Sequence, residues 1–235
     1  MGMISKKATG NPRGSILFIH GVCHGAWCWD EYFLDFFAEN SFDAHAIDLR
    51  RHDKPGRQKG MHSLGLKEYL EDIRSAVETI GEDVILVGHS MGGLLAQKYL
   101  EKKSARSAIL LAPVPPTGVI SSAARTIRKN PSLIPYLLSR DVYGAFHDQA
   151  RKLQFSDDLS EEKLTYYKSK MTAESFKAFM ELQLPLIRDH YHTLTPMLII
   201  AGENDAVIPV APLKKAADRY NADFILARGM AHNLV

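Results

Sequence analysis

The chain has 235 residues, 46% of them hydrophobic, which is enough for one sizeable globular domain with a buried core and an insertion. Its 29 basic and 27 acidic residues leave a formal charge of +2, which gives no basis for expecting a nucleic acid or an anionic membrane as partner. A neutral or mildly polar small molecule is the simpler partner, and a homodimer stays an open alternative.

Targeting signals and cysteine motifs are both lacking in the sequence pattern. Met1–Lys6 holds no apolar run long enough for a signal peptide, and runs such as Ile109–Ala112 are far shorter than the roughly 20 residues of a membrane span. We therefore expect a cytoplasmic protein. The spacing of Cys23 and Cys28 matches neither a C-x-x-C redox pair nor a zinc site, which indicates free thiols.

Six short apolar runs along the chain predict β-strands. They lie at Ile16–Ile19, Ala44–Ile47, Val84–Val87, Ala108–Leu111, Met197–Ile200 and Phe224–Leu226. Strands that are apolar almost throughout are typical of a parallel sheet covered on both faces. The sequence therefore predicts a sheet buried between two layers.

Helical patterns lie between these strands. Apolar residues fall on one face over Trp29–Phe37 and again over Leu66–Ile80, where Ser63 and Gly81 are the expected N-cap and C-terminal stop. Because right-handed crossovers place helices on both faces of a sheet, the alternation predicts an α/β fold with a doubly wound, mostly parallel sheet.

The interval from Pro113 to about Thr195 contains no convincing strand and is far longer than a normal crossover. Apolar residues recur at helical spacing from Leu164 to Leu184, a stripe that is usually plain packing and alternatively lines a pocket. We predict an α/β core of residues 1–112 and 191–235, interrupted by a helical cap of residues 113–190.

Residues 85–96 read as a strand, then G-x-S-x-G, then a helix that begins with small residues. This is the context of a nucleophile elbow, in which a sharp turn exposes a serine hydroxyl. Gly88 and Gly92 leave the room that the turn requires. The bare pattern is weak, but its position between strand and helix predicts Ser90 as a nucleophile.

A serine nucleophile needs a general base, and the base needs a carboxylate to orient it. Glu203 and Asp205 both follow the strand that ends at Ile200, and Asp205 is preferred because it lies deeper in that loop. His232 follows the last strand beyond a glycine turn, which completes the chain order Ser, Asp, His.

The reaction also requires donors for a developing oxyanion. The loop of residues 20–27 follows the first strand, and the backbone amides of Val22 and Met91 are the predicted donors. A buried structural role is the preferred interpretation of His20. Gly21 and His24 are predicted to contact the substrate, with Gly21 leaving space for an acyl group beside Ser90.

With these motifs in order, the chain resembles the α/β-hydrolase superfamily over nearly its whole length. More narrowly, the H-G-x-C-H-G-A-W-x-W pattern of residues 20–29 resembles the branch of plant-type carboxylesterases and hydroxynitrile lyases. The resemblance implies hydrolysis of a small carboxylic ester or thioester through an acyl-enzyme on Ser90, with no metal or organic cofactor. Relatives continue beyond the histidine into a helix, so further chain or another element is expected to cover that face of the sheet.

Two alternatives share this fold, a hydroxynitrile lyase and a ligand receptor with slow turnover. Lyases of this branch carry a threonine where Gly21 stands and a lysine where Asn233 stands. Those groups bind the substrate oxygen and stabilise the departing cyanide, and glycine and asparagine supply neither. The sequence therefore favours the hydrolase.

Overall fold

The protein is described by a computed structural model that covers residues 2–58, 60–187 and 194–235. Its centre is a seven-stranded sheet in the order β1-β3-β2-β4-β5-β6-β7. The strands are β1 (Met3–Lys6), β2 (Ser15–Ile19), β3 (Asp43–Ile47), β4 (Val84–His89), β5 (Ser107–Leu111), β6 (Met197–Gly202) and β7 (Asp223–Ala227). All neighbours pair in parallel except β1 and β3, which are antiparallel. The predicted α/β class and the six predicted strands are confirmed.

Strand β1 was not predicted. Its residues alternate between exposed and half-buried, and it pairs only with β3, with Ile4 opposite Ala46. A four-residue strand at the sheet edge lacks the continuous apolar run that marks the buried strands.

Helices cover both faces of the sheet, as the alternating pattern predicts. Those between the strands are α1 (Trp27–Asp30), α2 (Phe33–Glu39), α3 (Leu66–Ile80), α4 (Met91–Leu100) and α11 (Val210–Tyr220). Side chains of α3, α4 and α11 form one large buried cluster with the sheet, while α1 and α2 pack on the opposite face around Phe18 and Trp29.

The predicted N-cap of α3 was wrong. Ser63 ends a short 3₁₀ turn, and Gly65 is the N-cap, with its N–H donating to the Glu68 carboxylate at 2.7 Å. Gly81 ends the helix as predicted, at a φ of +120° that favours glycine. The first predicted helix is divided into α1 and α2.

Between β5 and β6 the chain forms short helices. They are α5 (Ile120–Lys129), α6 (Ile134–Leu138), α7 (Val142–Asp148), α8 (Ala150–Leu153), α9 (Glu161–Lys170) and α10 (Phe176–Glu181). The predicted boundary between residues 190 and 191 lies outside the described residues, and the division into core and cap stays a proposal. Within the described ranges, no helix is long and apolar enough to cross a membrane.

Candidate active site

Ser90 stands at the sharp turn between β4 and α4. Its φ of 51° and ψ of −113° are unusual for a residue with a side chain, and the turn is held by hydrogen bonds on both sides. Ser90 N–H donates to the Leu111 carbonyl at 3.0 Å, and the Ser90 carbonyl accepts from the N–H groups of Leu94 and Val114. The strained conformation is thus fixed by the strand on one side and the helix on the other.

The glycines around Ser90 have no room for side chains. A Cβ on Gly88 would lie 2.5 Å from the Gly92 carbonyl oxygen, and a Cβ on Gly92 would collide with the carbonyl oxygen of Ile19. The turn can therefore pass this close to β2 only with glycine at both positions, as the pattern predicts.

The three residues predicted as nucleophile, base and acid lie in one hydrogen-bonded chain. His232 Nε2 is 3.0 Å from Ser90 Oγ, and His232 Nδ1 is 2.7 Å from Asp205 Oδ2. An ionised carboxylate only accepts hydrogen bonds, so Nδ1 carries the hydrogen and Nε2 is left to accept from the serine hydroxyl. The arrangement leaves the imidazole ready to take a proton from Ser90.

Asp205 and Glu203 have different environments. The side chain of Asp205 is nearly fully buried, and its second oxygen, Oδ1, accepts the N–H groups of Val207 at 2.8 Å and Ile208 at 2.7 Å. The exposed Glu203 instead accepts the N–H of Gly229 at 2.8 Å, which braces the turn before His232. The geometry thus pairs Asp205 with the imidazole and gives Glu203 a supporting contact.

The backbone at His232 is held from two directions. His89 Nε2 donates to the His232 carbonyl at 3.0 Å, and Asn233 N–H donates to the Gln154 carbonyl at 2.8 Å. Burial, with a smaller contribution from the neighbouring imidazoles, lowers the pKa of His89 well below its ordinary value. His89 is therefore a neutral donor that fixes the position of the base.

The predicted oxyanion donors flank Ser90. Met91 is the first residue of α4, so no carbonyl of the helix can accept its N–H, which also lies at the positive end of the helix dipole. Val22 lines the same cavity as Ser90, and its N–H has no hydrogen-bond acceptor in the described part of the chain.

Gly21 and His24, the two residues predicted to contact substrate, both lie in the loop next to Ser90. A Cβ on Gly21 would lie 3.0 Å from Ser90 Cβ and 2.9 Å from His89 Nδ1, so Gly21 permits close approach of two loops and does not leave an empty space. His24 is buried, stacks on Trp27 and does not line the cavity at Ser90. Its Nδ1 donates to the Val22 carbonyl at 2.9 Å, and its Nε2 is buried with no hydrogen-bond partner among the described residues, so its contact with substrate stays a prediction.

Comparison with known proteins places the chain in a family. The family model described as "Serine aminopeptidase, S33" (Hydrolase_4) matches residues 10–235. The chain belongs to this hydrolase family. Bromoperoxidase from Bacillus anthracis has the same fold, with a TM-score of 0.75 and 21% identity over 98% of this chain and 87% of that one.

Similar individual proteins include plant esterases, which confirms the narrower resemblance. Methylesterase 10 of Arabidopsis thaliana is 39% identical over 92 residues, which are 37% of this chain and only 31% of that protein. A non-heme haloperoxidase of Rhodococcus erythropolis is 26% identical over an alignment 250 positions long, which covers 93% of this chain and 85% of that protein.

Two neighbouring cavities lie at the candidate site. The cavity at Ser90 and His232 is small, with a volume of about 30 Å³. An open groove of about 690 Å³ adjoins it and is walled by α5, α6, α7 and α10. Five side chains line both, namely Val119, Phe146, Phe179, Gln183 and Val207.

The groove explains part of the apolar stripe seen in the sequence. Phe176, Phe179, Met180 and Leu184 from that stripe line it, so the pocket-lining alternative applies to them. The opposite wall, with residues such as Ile127 of α5, was not predicted. An amphipathic pattern over α5 was the available signal, but the pattern alone does not say which helix its apolar face meets.

Metal ligands and reactive thiols are not part of this site. Within the described ranges, no group of His, Cys, Asp and Glu side chains is arranged to hold a metal ion. Cys23 and Cys28 are free and buried, as predicted, and burial raises the pKa of both thiols well above the ordinary value.

Proposed function

We propose that this protein is a serine hydrolase that cleaves carboxylic esters through an acyl-enzyme on Ser90. The observation that carries the proposal is the hydrogen-bonded chain from Ser90 Oγ through His232 to Asp205 at a strained elbow. The similarity to plant methylesterases supports an ester as the substrate.

The geometry suits a two-step reaction. Ser90 Oγ attacks the ester carbonyl carbon while its proton moves to His232 Nε2, and Asp205 stabilises the imidazolium that forms. The carbonyl oxygen becomes an oxyanion that accepts hydrogen bonds from the amides of Val22 and Met91. The C–O bond then breaks, and the alcohol leaves with the proton from His232. Water, deprotonated by the same imidazole, attacks the acyl-enzyme and releases the acid.

The sizes of the two cavities indicate what kind of ester fits. The cavity at Ser90 is small and shares five lining residues with the groove, so we expect a larger substituent to extend towards the groove. That groove is walled almost entirely by aliphatic and aromatic side chains, with Lys177 and Glu181 among its few polar residues. Burying an apolar chain there is favourable by about 0.8 kcal/mol for each methylene. An ester with an apolar acyl group is the best match.

The test is steady-state hydrolysis of p-nitrophenyl esters from acetate to decanoate, compared with the Ser90→Ala variant. We expect a burst of nitrophenol, kcat/KM that rises with acyl length, and loss of nearly all turnover in a folded Ser90→Ala variant. Cyanide release from mandelonitrile that depends on Ser90, without ester cleavage, would identify a lyase. Tight binding of the ester with negligible turnover would identify a receptor.

A further inference from the structure

In the loop that carries Val22, the carbonyl groups of residues 21–24 are each anchored by a hydrogen bond. The Gly21 carbonyl accepts from His20 Nδ1 at 2.9 Å and from His24 N–H at 3.2 Å, and the Val22 carbonyl accepts from His24 Nδ1. Thr172 N–H donates to the Cys23 carbonyl at 3.0 Å, and Thr172 Oγ1 donates to the His24 carbonyl at 2.7 Å. The Val22 N–H, in contrast, faces no acceptor in the described part of the chain.

The protonation of His20 follows from its two partners. Leu49 N–H can only donate, and it lies 3.1 Å from His20 Nε2, so Nε2 must be the acceptor. Nδ1 therefore carries the hydrogen that it donates to Gly21. The ring is fully buried, and burial, followed by the charge of His52, lowers the pKa of His20 well below its ordinary value. His20 is held as one neutral tautomer.

This tautomer controls a single peptide plane. The Gly21 carbonyl and the Val22 N–H belong to the same trans peptide bond and point in opposite directions. Fixing the carbonyl towards His20 therefore directs the N–H away from His20. Val22 and Ser90 line the same small cavity, and Gly21 lies directly against Ser90, so the plane is next to the reacting hydroxyl.

We propose that the imidazole of His20 is a positioning residue that orients the Val22 amide as an oxyanion donor. This inference rests on the proposed ester hydrolysis. Stabilisation of an oxyanion depends on donors that are already oriented when charge develops, because reorientation at that moment costs free energy. A peptide plane free to rotate would bind the substrate carbonyl almost as well but would stabilise the transition state less.

Three substitutions of His20 separate its two hydrogen bonds. His20→Asn places an amide N–H near the position of Nδ1 and loses the acceptor for Leu49, whereas His20→Gln keeps an acceptor near Nε2 and loses the donor to Gly21. His20→Ala loses both. His45, a buried histidine on β3 that contacts Ser5, provides a matched control in His45→Asn.

Two measurements are made on each variant. The first is kcat and KM for p-nitrophenyl butyrate, with the concentration of active sites taken from the nitrophenol burst. The second is the Ki of an alkyl trifluoromethyl ketone. Since loss of one oxyanion donor costs about 10²- to 10³-fold in kcat, we expect kcat to fall at least about tenfold in His20→Ala and His20→Gln, with KM nearly unchanged. The Ki of the ketone should rise by a similar factor. His20→Asn should recover much of kcat, and His45→Asn should match wild type.

Several results would overturn the proposal. Wild-type kcat and Ki in His20→Gln, or a kcat in His20→Asn no higher than in His20→Gln, would show that the Nδ1 hydrogen bond does not orient the donor. If the variants do not fold, ¹⁵N NMR of wild-type histidines decides, because finding the hydrogen on Nε2 of His20 would refute it. A wild-type protein without esterase activity would overturn the proposed function and this inference with it.

Discussion

Replacing Asp205 by asparagine tests whether this residue sets the tautomer of the His232 imidazole. Asp205 Oδ1 accepts two backbone N–H groups, from Val207 and Ile208, at 2.8 and 2.7 Å. If the amide nitrogen of an asparagine faced them, donors would meet donors and two hydrogen bonds of about 1 kcal/mol each would be lost. The amide oxygen is therefore expected to stay at that position, which directs the NH₂ group at His232 Nδ1.

The forced orientation has a definite consequence for His232. Facing a donor, Nδ1 must accept, so the ring hydrogen moves to Nε2, which can then no longer take the proton of Ser90. A wrong tautomer with intact geometry lowers kcat by about 10⁴ in the well-studied triad enzymes, which corresponds to roughly 5.5 kcal/mol of transition-state stabilisation. We expect a loss of that order for Asp205→Asn with p-nitrophenyl butyrate as substrate.

Glu203→Gln is the matched control for this experiment. Its carboxylate accepts only the Gly229 N–H among the described residues, and a glutamine oxygen can replace it. We expect kcat within a few-fold of wild type and a slightly lower melting temperature. Retention of most activity in Asp205→Asn, or a larger loss in Glu203→Gln, would refute the pairing of Asp205 with His232.

The groove and the buried histidines give three further tests. Ala123→Trp should fill part of the groove and lower kcat/KM for p-nitrophenyl octanoate at least about tenfold while sparing the acetate, as steady-state kinetics would show. Burial lowers the pKa of His24 from 6.5 to about 4, so the unfolded chain binds a proton there at a pH where the native protein does not. His24 should contribute a loss of about 2.5 kcal/mol of unfolding free energy between pH 7 and pH 4.5, and the buried His20 and His89 add losses of the same sign, so urea unfolding should show a loss of at least that size. Burial alone would lower the pKa of His52, but the Glu174 carboxylate at 3.2 Å outweighs burial, and the net pKa is raised. The pair therefore stabilises the fold fully below pH 6.5, the pKa of an unfolded histidine, and this stabilisation is lost as the pH rises through the raised pKa. Glu174→Gln should therefore destabilise the protein by about 3 kcal/mol near pH 6 and by less at pH 9, measured by urea unfolding.

Local sequence patterns predict most of the fold and bring the three candidate residues to one place. The six buried strands are short apolar runs, and Ser90, Asp205 and His232 each follow a strand. Because the carboxyl ends of parallel strands meet at one edge of a sheet, the three residues lie at the same edge. Ser63 was wrongly predicted as the N-cap of α3, because the cap lies at Gly65 and is made by the Glu68 side chain reaching back to the Gly65 N–H.

What the sequence could not predict depends on contacts between distant residues. Thr172 hydrogen-bonds to His24, 148 positions earlier, in the loop of residues 20–27, and Glu174 hydrogen-bonds to His52 and Tyr69, 122 and 105 positions earlier. Nothing in the local pattern around any of these residues specifies its partner. The groove could not be predicted for the same reason, because its walls include α5 and α10, which come together only in the folded chain.

Trapping a covalent acyl-enzyme on Ser90 is the most direct test of the proposed reaction. Wild-type protein mixed with p-nitrophenyl hexanoate, quenched in acid within the burst and digested, should carry the mass of a hexanoyl group on the peptide that contains Ser90. Asp205→Asn should accumulate the same adduct slowly, and Ser90→Ala should carry none. Full ester turnover by Ser90→Ala, or a hexanoyl group on any other residue that forms as fast as nitrophenol is released, would contradict the account.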